Sequence, residues 1–350
     1  MRTLQRVATA LLLCTCLAMG RAKTDVLVMN NGDRFTCEVK GLGSGVLYVS
    51  FDYIDGTTSV DWSKVRSLES NQLFVVTTEG GAVYTGTLKT SKAEADRPVR
   101  LEVFEGPEHE TVVERQQIVQ MIPTSDRWWQ RFNGALSFGV NYAKGNQSTQ
   151  YNLGSNVAYV RGRWNLETNY SSNLASSSGN AASTRNSLNF TGMRRLRENW
   201  FASGIASFLQ SSEQGISLQS TIGGGLGRYL KNTNRTSISL LGGAVWQNTG
   251  YTDPNVNVAR KNIVGALIAS DATFFKFSKT NFRASASLVP ALSDPGHLRF
   301  DTNVSYYVKI FGDLKWNATF YGNWDNRPPP GFSSSDYGTS SGVSWTFGLR

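Results

Sequence analysis

The sequence predicts an all-β chain: a transmembrane antiparallel β-barrel of about twelve strands, preceded by small SH3-like β-barrel repeats. Three observations carry this reading. The first is the stretch Ser335 to Leu349, where Tyr337, Thr339, Ser341, Val343, Trp345, Phe347 and Leu349 alternate with Gly338, Ser340, Gly342, Ser344, Thr346 and Gly348. A period of two over so long a run is a strand with grease on one face and water on the other. The second is composition: nine Trp, 13 Tyr and 18 Phe occur in a chain that is only 40% hydrophobic. Alternating strands dilute hydrophobicity below the level of a helical membrane protein. The third is spacing, because beyond residue 131 strand-length segments are separated alternately by short turns and longer links. A soluble barrel or sandwich is the competing architecture, in which Val140, Leu153 and Val304 would form a dry core.

The first element, residues 1–22, reads as a secretory signal peptide. Arg2 and Arg6 precede the apolar run Val7 to Met19, and Gly20, Arg21 and Ala22 supply a cleavage site. The run falls short of the roughly 20 apolar residues that a spanning helix needs. Cys14 and Cys16 leave with it. Cys37 then stands alone, so no intrachain disulfide is expected, and a buried apolar thiol is its expected state. The net charge of +9 falls to +6 once Arg2, Arg6 and Arg21 are removed.

Two units follow, residues 23–70 and 71–123. In the first, Asp25 to Met29 meets the turn Asn30-Asn31-Gly32-Asp33, then Phe35 to Lys40, Val46 to Tyr53, Thr58 to Trp62 and the closing Val65 to Leu68. In the second, Leu73 to Thr77 meets Glu79-Gly80-Gly81, then Val83 to Thr90, Val99 to Phe104 and Thr111 to Ile122. The alignment pairs Gly32 with Gly80 and Val65 with Ile118. Asn-Gly and Asp-Gly dipeptides between alternating runs are hairpin signals. Such small barrels supply a binding surface without specifying a ligand.

Residues 124–131 form a linker, and residues 132–350 the predicted barrel. Its strands are Phe132 to Ala143, Gln150 to Val160, Trp164 to Asn173, Ser183 to Met193, Trp200 to Leu209 and Ile216 to Tyr229. They continue as Thr236 to Gln247, Asn262 to Thr273, Thr280 to Ala291, Leu298 to Ile310, Leu314 to Trp324 and Ser335 to Leu349. Several match the nine to eleven residues that cross a bilayer when tilted about 45°. An even strand number leaves both ends on one side, with the N-terminal units in the periplasm. Trp164, Trp200 and Trp316 begin strands beside short turns, whereas Trp246 and Trp324 end strands near long links. That placement predicts two membrane-interface girdles.

At the C-terminal end, Ser340, Gly342, Trp345 and Phe347 resemble the assembly signal of outer-membrane proteins: polar, any, Gly, any, any, aromatic, any, aromatic. Further marks are the turn Asn31-Gly32-Asp33, the run Val60-Asp61-Trp62 leading into Val65, and Gly134 to Gly139 followed by Gly145-Asn146. Taken in that order they resemble the salt-induced outer-membrane protein family of Gram-negative bacteria, domain of unknown function 481. Gly145-Asn146-Gln147-Ser148 departs from that family's Gly-Asn-Thr or Gly-Asn-Ser form, and the two-unit N-terminal region is longer than in its simplest members. The resemblance implies an outer-membrane barrel and no catalytic residues.

Enzymatic and metal chemistry find little support. His109 lies beside Glu108 and Glu110, but neighbours on a strand point to opposite faces, whereas zinc wants three or four converging ligands. His297 follows Asp294-Pro295-Gly296 in an expected external loop. A hydrolase would need a serine beside it, with Ser293 and Ser305 nearest in sequence. Gly223-Gly224-Gly225-Leu226-Gly227 lacks the Lys-Ser/Thr and the helix of a phosphate loop. No catalytic residue, metal or cofactor is expected. Scattered basic residues in an exported chain exclude nucleic acid and favour anionic outer-membrane lipid and lipopolysaccharide as counter-charges.

The lumen is where function is expected. Its candidate lining includes Glu167, Arg283, Arg299, Asp301, Asn303, Lys315 and Asn317, with Asn141, Asn152, Asn156, Asn169, Gln219 and Asp325 on the same register. A polar lining suits a narrow pore for passive passage of small polar solutes. The alternative is a closed barrel in which Arg299, Asp301 and Lys315 pair with one another, anchoring a module that contacts peptidoglycan or a periplasmic protein. Eight strands are filled by side chains and sixteen leave a channel, so about twelve falls between. The barrel assembly machinery is the expected partner of the C-terminal signal.

Overall fold

The computed structural model describes residues 23–91, 100–105, 109–143, 148–176, 183–212, 215–251, 260–277, 279–311, 314–327 and 334–345. The signal segment, Phe347 and most of the Gly145–Ser148 stretch lie outside them.

The N-terminal part is one nine-stranded antiparallel sheet. Its strands are β1 (Asp25–Met29), β2 (Arg34–Gly43), β3 (Val46–Ser50), β4 (Thr58–Asp61), β5 (Val65–Thr78), β6 (Val83–Thr90), β7 (Arg100–Phe104), β8 (Glu110–Glu114) and β9 (Ile118–Pro123). β1 pairs with β2 and β5, and β9 pairs with the same two strands, so the four close into a ring. Inside lie Leu27, Val39, Leu47, Val49, Leu68, Phe74, Val76, Leu101, Ile118 and Met121, all buried. Each such side chain contributes about 1.5–3 kcal/mol on leaving water. Asp25 is fully buried as well, and its carboxylate accepts the Val39 N–H at 2.8 Å and the Ser70 hydroxyl.

One backbone pattern occurs twice. Met29 N donates to Asp33 O and Gly32 N to Met29 O, just as Thr78 N donates to Ala82 O and Gly81 N to Thr78 O. Asn30 N reaches Lys64 O at 2.9 Å, and Glu79 N reaches Gln117 O at 2.7 Å. A short 3-10 turn, Trp62–Lys64 or Arg115–Gln117, precedes Val65 and Ile118, each of which donates its N–H back to the turn's first carbonyl. The pairing registers slip at the same place in both copies, between Val28 and Met29 and between Thr77 and Thr78. Gly32 therefore aligns with Gly81, not Gly80. The turn needs a left-handed residue, and Gly32 (φ 95°) and Gly81 (φ 78°) supply it. β5 runs unbroken across residues 70/71, where the two expected units meet. The polar run Ser70-Asn71-Gln72 is accommodated as a register shift between Ser70 and Phe74, with Ser70 Oγ accepting Gln72 N–H.

The second part is a 12-stranded antiparallel meander in strict chain order. It comprises β10 (Phe132–Ala143), β11 (Ser148–Arg161), β12 (Trp164–Ser176), β13 (Ser183–Arg195), β14 (Trp200–Ser211), β15 (Ile216–Asn232), β16 (Thr236–Tyr251), β17 (Arg260–Lys276), β18 (Thr280–Pro290), β19 (Leu298–Phe311), β20 (Leu314–Asp325) and β21 (Ser335–Trp345). Most strands start where the alternation starts and run past where it ends. Backbone pairing continues through polar ends such as Lys231 and Asn232, beyond the side-chain pattern that reveals a strand in sequence. β10 and β21 stand at the two ends of the meander, with no pairing between them among the described residues.

Candidate functional site

Strand alternation gives the 12-stranded sheet two unlike faces. One exposes Leu136, Phe138, Val140, Leu153, Phe190, Ile222, Leu240, Ile268, Phe300, Phe320 and Val343. Phe138 is 72% exposed and Leu136 69%, values that mark an uncovered apolar surface rather than a dry core. The other face is mostly polar. Asn156 Nδ2 donates to Glu167 Oε1 at 2.9 Å, Asn169 Nδ2 donates to the same oxygen at 3.2 Å, and Ser171 and Ser187 hydroxyls meet at 2.8 Å.

By register, all the expected lining residues stand on this polar face. Glu167 opposes Ala158 and Thr191, Arg283 opposes Ser305, and Asn303 opposes Ser285 and Tyr321. Arg299 opposes Asp325, Asp301 opposes Asn323, Lys315 opposes Lys309, and Asn317 opposes Gly342. Arg283, Asp301, Asn303 and Asn317 are exposed to water. No ion pair within 4 Å links Arg299, Asp301 and Lys315 among the described residues.

Part of the same face is packed and largely apolar. Towards the long links, Val245, Ile263, Val289 and Ala291 are buried together with Gln247 and Thr249. Leu292 and Ser293 fold back to hydrogen-bond Val264 O, and Ala291 bridges to Gly265. Sequence alternation could not reveal this packed sector, because apolar residues there occupy positions of both parities. Glycines set a second feature. A Cβ on Gly225 would strike the Gly242 carbonyl oxygen, and one on Gly243 the Gly224 carbonyl, so β15 and β16 approach closely only because these residues lack side chains.

At the short-turn end the N-terminal domain is docked onto the sheet. Asn199 Nδ2 donates to Glu79 O at 2.7 Å, and Asn234 Nδ2 donates to Gln116 O and Ile118 O at 3.1 and 2.8 Å. Thr124 Oγ1 donates to Val160 O at 3.2 Å, and Arg195 reaches Gln120 Oε1. Gly81 and Gly45 lie against the backbone of Asn199 and Asn234, with no room for a Cβ. A cleft of about 690 Å³ runs along this junction between Trp62, Lys64, Arg115, Arg235, Lys276 and Lys279. Trp62 Nε1 donates to Arg115 O at 3.0 Å while the Arg115 guanidinium reaches Val65 O, so the two 3-10 turns clasp each other beside it. Burial pushes the Arg115 guanidinium below its ordinary range, opposed by the charge of Asp61.

The tryptophans expected in girdles lie on the apolar face, with Trp164, Trp200, Trp316 and Trp324 within three residues of a strand end; Trp246, expected to end its strand, instead lies inside β16, whose backbone pairing runs on to Tyr251. Arg194 sits 5.2 Å over the Trp164 ring and Arg228 5.6 Å over Trp200. Trp316 Nε1 donates to Ser341 Oγ at 2.8 Å and packs 5.6 Å from Tyr306 in a row that includes Phe282 and Phe274. Trp246 and Trp324 are exposed near the long links. Sequence reading missed Trp128 and Trp129, which stand exposed in the linker with Trp128 against Phe132. Their adjacency to a strand start was the available signal. Of the assembly-signal residues, Ser340 and Gly342 lie in β21 opposite Thr319 and Asn317, and Trp345 ends the strand opposite Leu314.

The two histidines are placed differently. His109 is exposed, and no group of three metal-binding side chains occurs among the described residues. His297 is buried, with Nε2 2.7 Å from Asp325 Oδ1 and Nδ1 3.2 Å from Asp294 Oδ2. Arg327 closes the cluster on Asp294 at 2.6 Å. Ser293 instead gives its hydroxyl to the Val264 backbone. The histidine thus ties the link before β19 to the end of β20.

No curated protein matches the chain. A family model described as a protein of unknown function, DUF481, matches residues 136–347, which is the 12-stranded sheet almost from end to end, and the chain belongs to that family.

Proposed function

We propose that the 12-stranded sheet closes, β10 upon β21, into an outer-membrane barrel whose polar face lines a narrow path for small polar solutes. The nine-stranded sheet acts as a periplasmic SH3-like tandem. The observation that carries this reading is the pairing of an uncovered apolar face with a water-exposed face bearing Arg283, Asp301, Asn303 and Asn317. A soluble sandwich would bury the first face and a plugged barrel would bury the second. Lipid and lipopolysaccharide would cover the outside, and closure would remove the free edges of β10 and β21.

A second reading has its own support. The packed sector around Val245, Ile263 and Val289, together with the domain docked at the other end, favours a closed barrel that anchors a module against peptidoglycan or an envelope protein. Single-channel recording of the refolded mature protein in a planar bilayer separates the two. Discrete steps whose ion selectivity reverses in Arg299→Glu support the path. A protein that shows the heat-modifiable gel shift of a folded barrel but stays silent rejects it.

A further inference from the structure

Adjoining the cleft at the junction, and sharing Ser44, Thr233, Arg235 and Phe275 with it, is a smaller cavity of about 180 Å³. It is bounded by Thr77 and Gln120 of the N-terminal domain and by Arg195, Tyr229, Arg235 and Thr273 of the sheet. Its volume is below the roughly 300 Å³ where drug-sized ligand pockets begin, and it corresponds to about six water molecules. Two of its donors lack partners. Arg195 Nη1 is buried without a hydrogen bond, as is the hydroxyl of Thr77, a residue only 4% exposed. The other half of the Arg195 guanidinium is held by Gln120, a neutral group. Asp271 is the carboxylate whose charge reaches neighbouring Tyr229, yet no ion pair joins it to Arg195 among the described residues. A guanidinium removed from water without a counter-charge costs several kcal/mol. A single oxyanion would supply that charge and accept from both unpartnered groups, and the exposed Arg235 flanks its approach.

We infer that this cavity is an oxyanion site, in which one phosphate- or carboxylate-bearing group is held by Arg195, Thr77 and Arg235 and bridges the N-terminal domain to the sheet. The bridge does not depend on whether the polar face conducts solutes. The chemistry is the same for a free anion and for the phosphate of a lipid headgroup.

The test uses the full mature chain folded in uncharged detergent. Inorganic phosphate and acetate are titrated calorimetrically at constant ionic strength, and short-chain phosphatidylglycerol is compared with phosphatidylcholine. Saturable binding of phosphate or acetate is expected, about tenfold weaker in Arg195→Gln and a few-fold weaker in the near-isosteric Thr77→Val, with part of the affinity kept in Arg195→Lys. Binding of phosphatidylglycerol alone, lost in the same variants, also supports the site and identifies a headgroup as its occupant. No binding of any anion by the wild-type chain, or equal binding by wild type and Thr77→Val and Arg195→Gln variants that keep the heat-modifiable shift, overturns it.

Discussion

At the scale of single residues, burial decides which groups are reactive. Cys37 lies in the N-terminal core beside Asp25 and Glu38, and burial first, then those two carboxylates, push its thiol up to about 12. Because the thiol titrates near 9 when unfolded, its contribution to stability is complete below that pH and is lost as pH rises through the folded value. The expected outcome is no labelling of Cys37 by a maleimide at neutral pH in the native protein and full labelling in denaturant, read by intact mass. Midpoints of urea unfolding should begin to fall above about pH 9 in wild type but less so in Cys37→Ala. Leu68→Ala, at the centre of the same core, should cost about 2–5 kcal/mol of N-terminal domain stability in the same assay.

At the scale of elements, the glycine band of β15 and β16 is the sharpest constraint. Gly225→Val would drive a branched side chain into the Gly242 carbonyl, so we expect loss of the heat-modifiable form on refolding, whereas Gly242→Ala, which meets open space, should refold normally. Much of the element structure was legible in sequence. Alternation located most of the twelve strands because each sees two unlike environments, whereas Trp200 to Leu209 and Asn262 to Thr273 alternate poorly; the turn dipeptides located the hairpins of the N-terminal units. What escaped was whatever that period does not encode. β5 passes through a polar run as one strand because a bulge and the Ser70 side chain absorb it. The buried group of Val245, Ile263 and Val289 sits on the face read as polar, and its packing depends on a link folding back from far along the chain. The cavity at Arg195 was equally hidden, since its two walls, one from each sheet, come from segments at least 75 residues apart.

At the scale of the whole molecule, the contacts between the two sheets are few and directional. Side-chain amides of Asn199 and Asn234 meet backbone carbonyls of the N-terminal domain, and among the described residues the buried apolar cluster of that domain takes in no residue of the 12-stranded sheet. The double variant Asn199→Ala with Asn234→Ala should leave both sheets folded and release the domain. Limited trypsin digestion should then cleave the segment 125–131 several-fold faster than in wild type, while the heat-modifiable shift is unchanged. If cleavage is equally slow, the amides do not hold the domain. Release should also enlarge any conductance of the sheet, because Thr77, Val119 and Gln120 would leave the polar residues they now face at its short-turn end.

The segment joining the two sheets is short and folded on itself, with Arg131 reaching the carbonyls of Ser125 and Asp126. Its eight residues, even fully stretched, span no more than about 29 Å. An undocked domain therefore remains beside its own turns at an effective concentration on the order of millimolar. Dilution cannot separate the pair, and a freed copy of the domain cannot readily compete for the place. Docking is a private equilibrium of each molecule, one that salt or a bound ion can shift but that the abundance of the protein cannot.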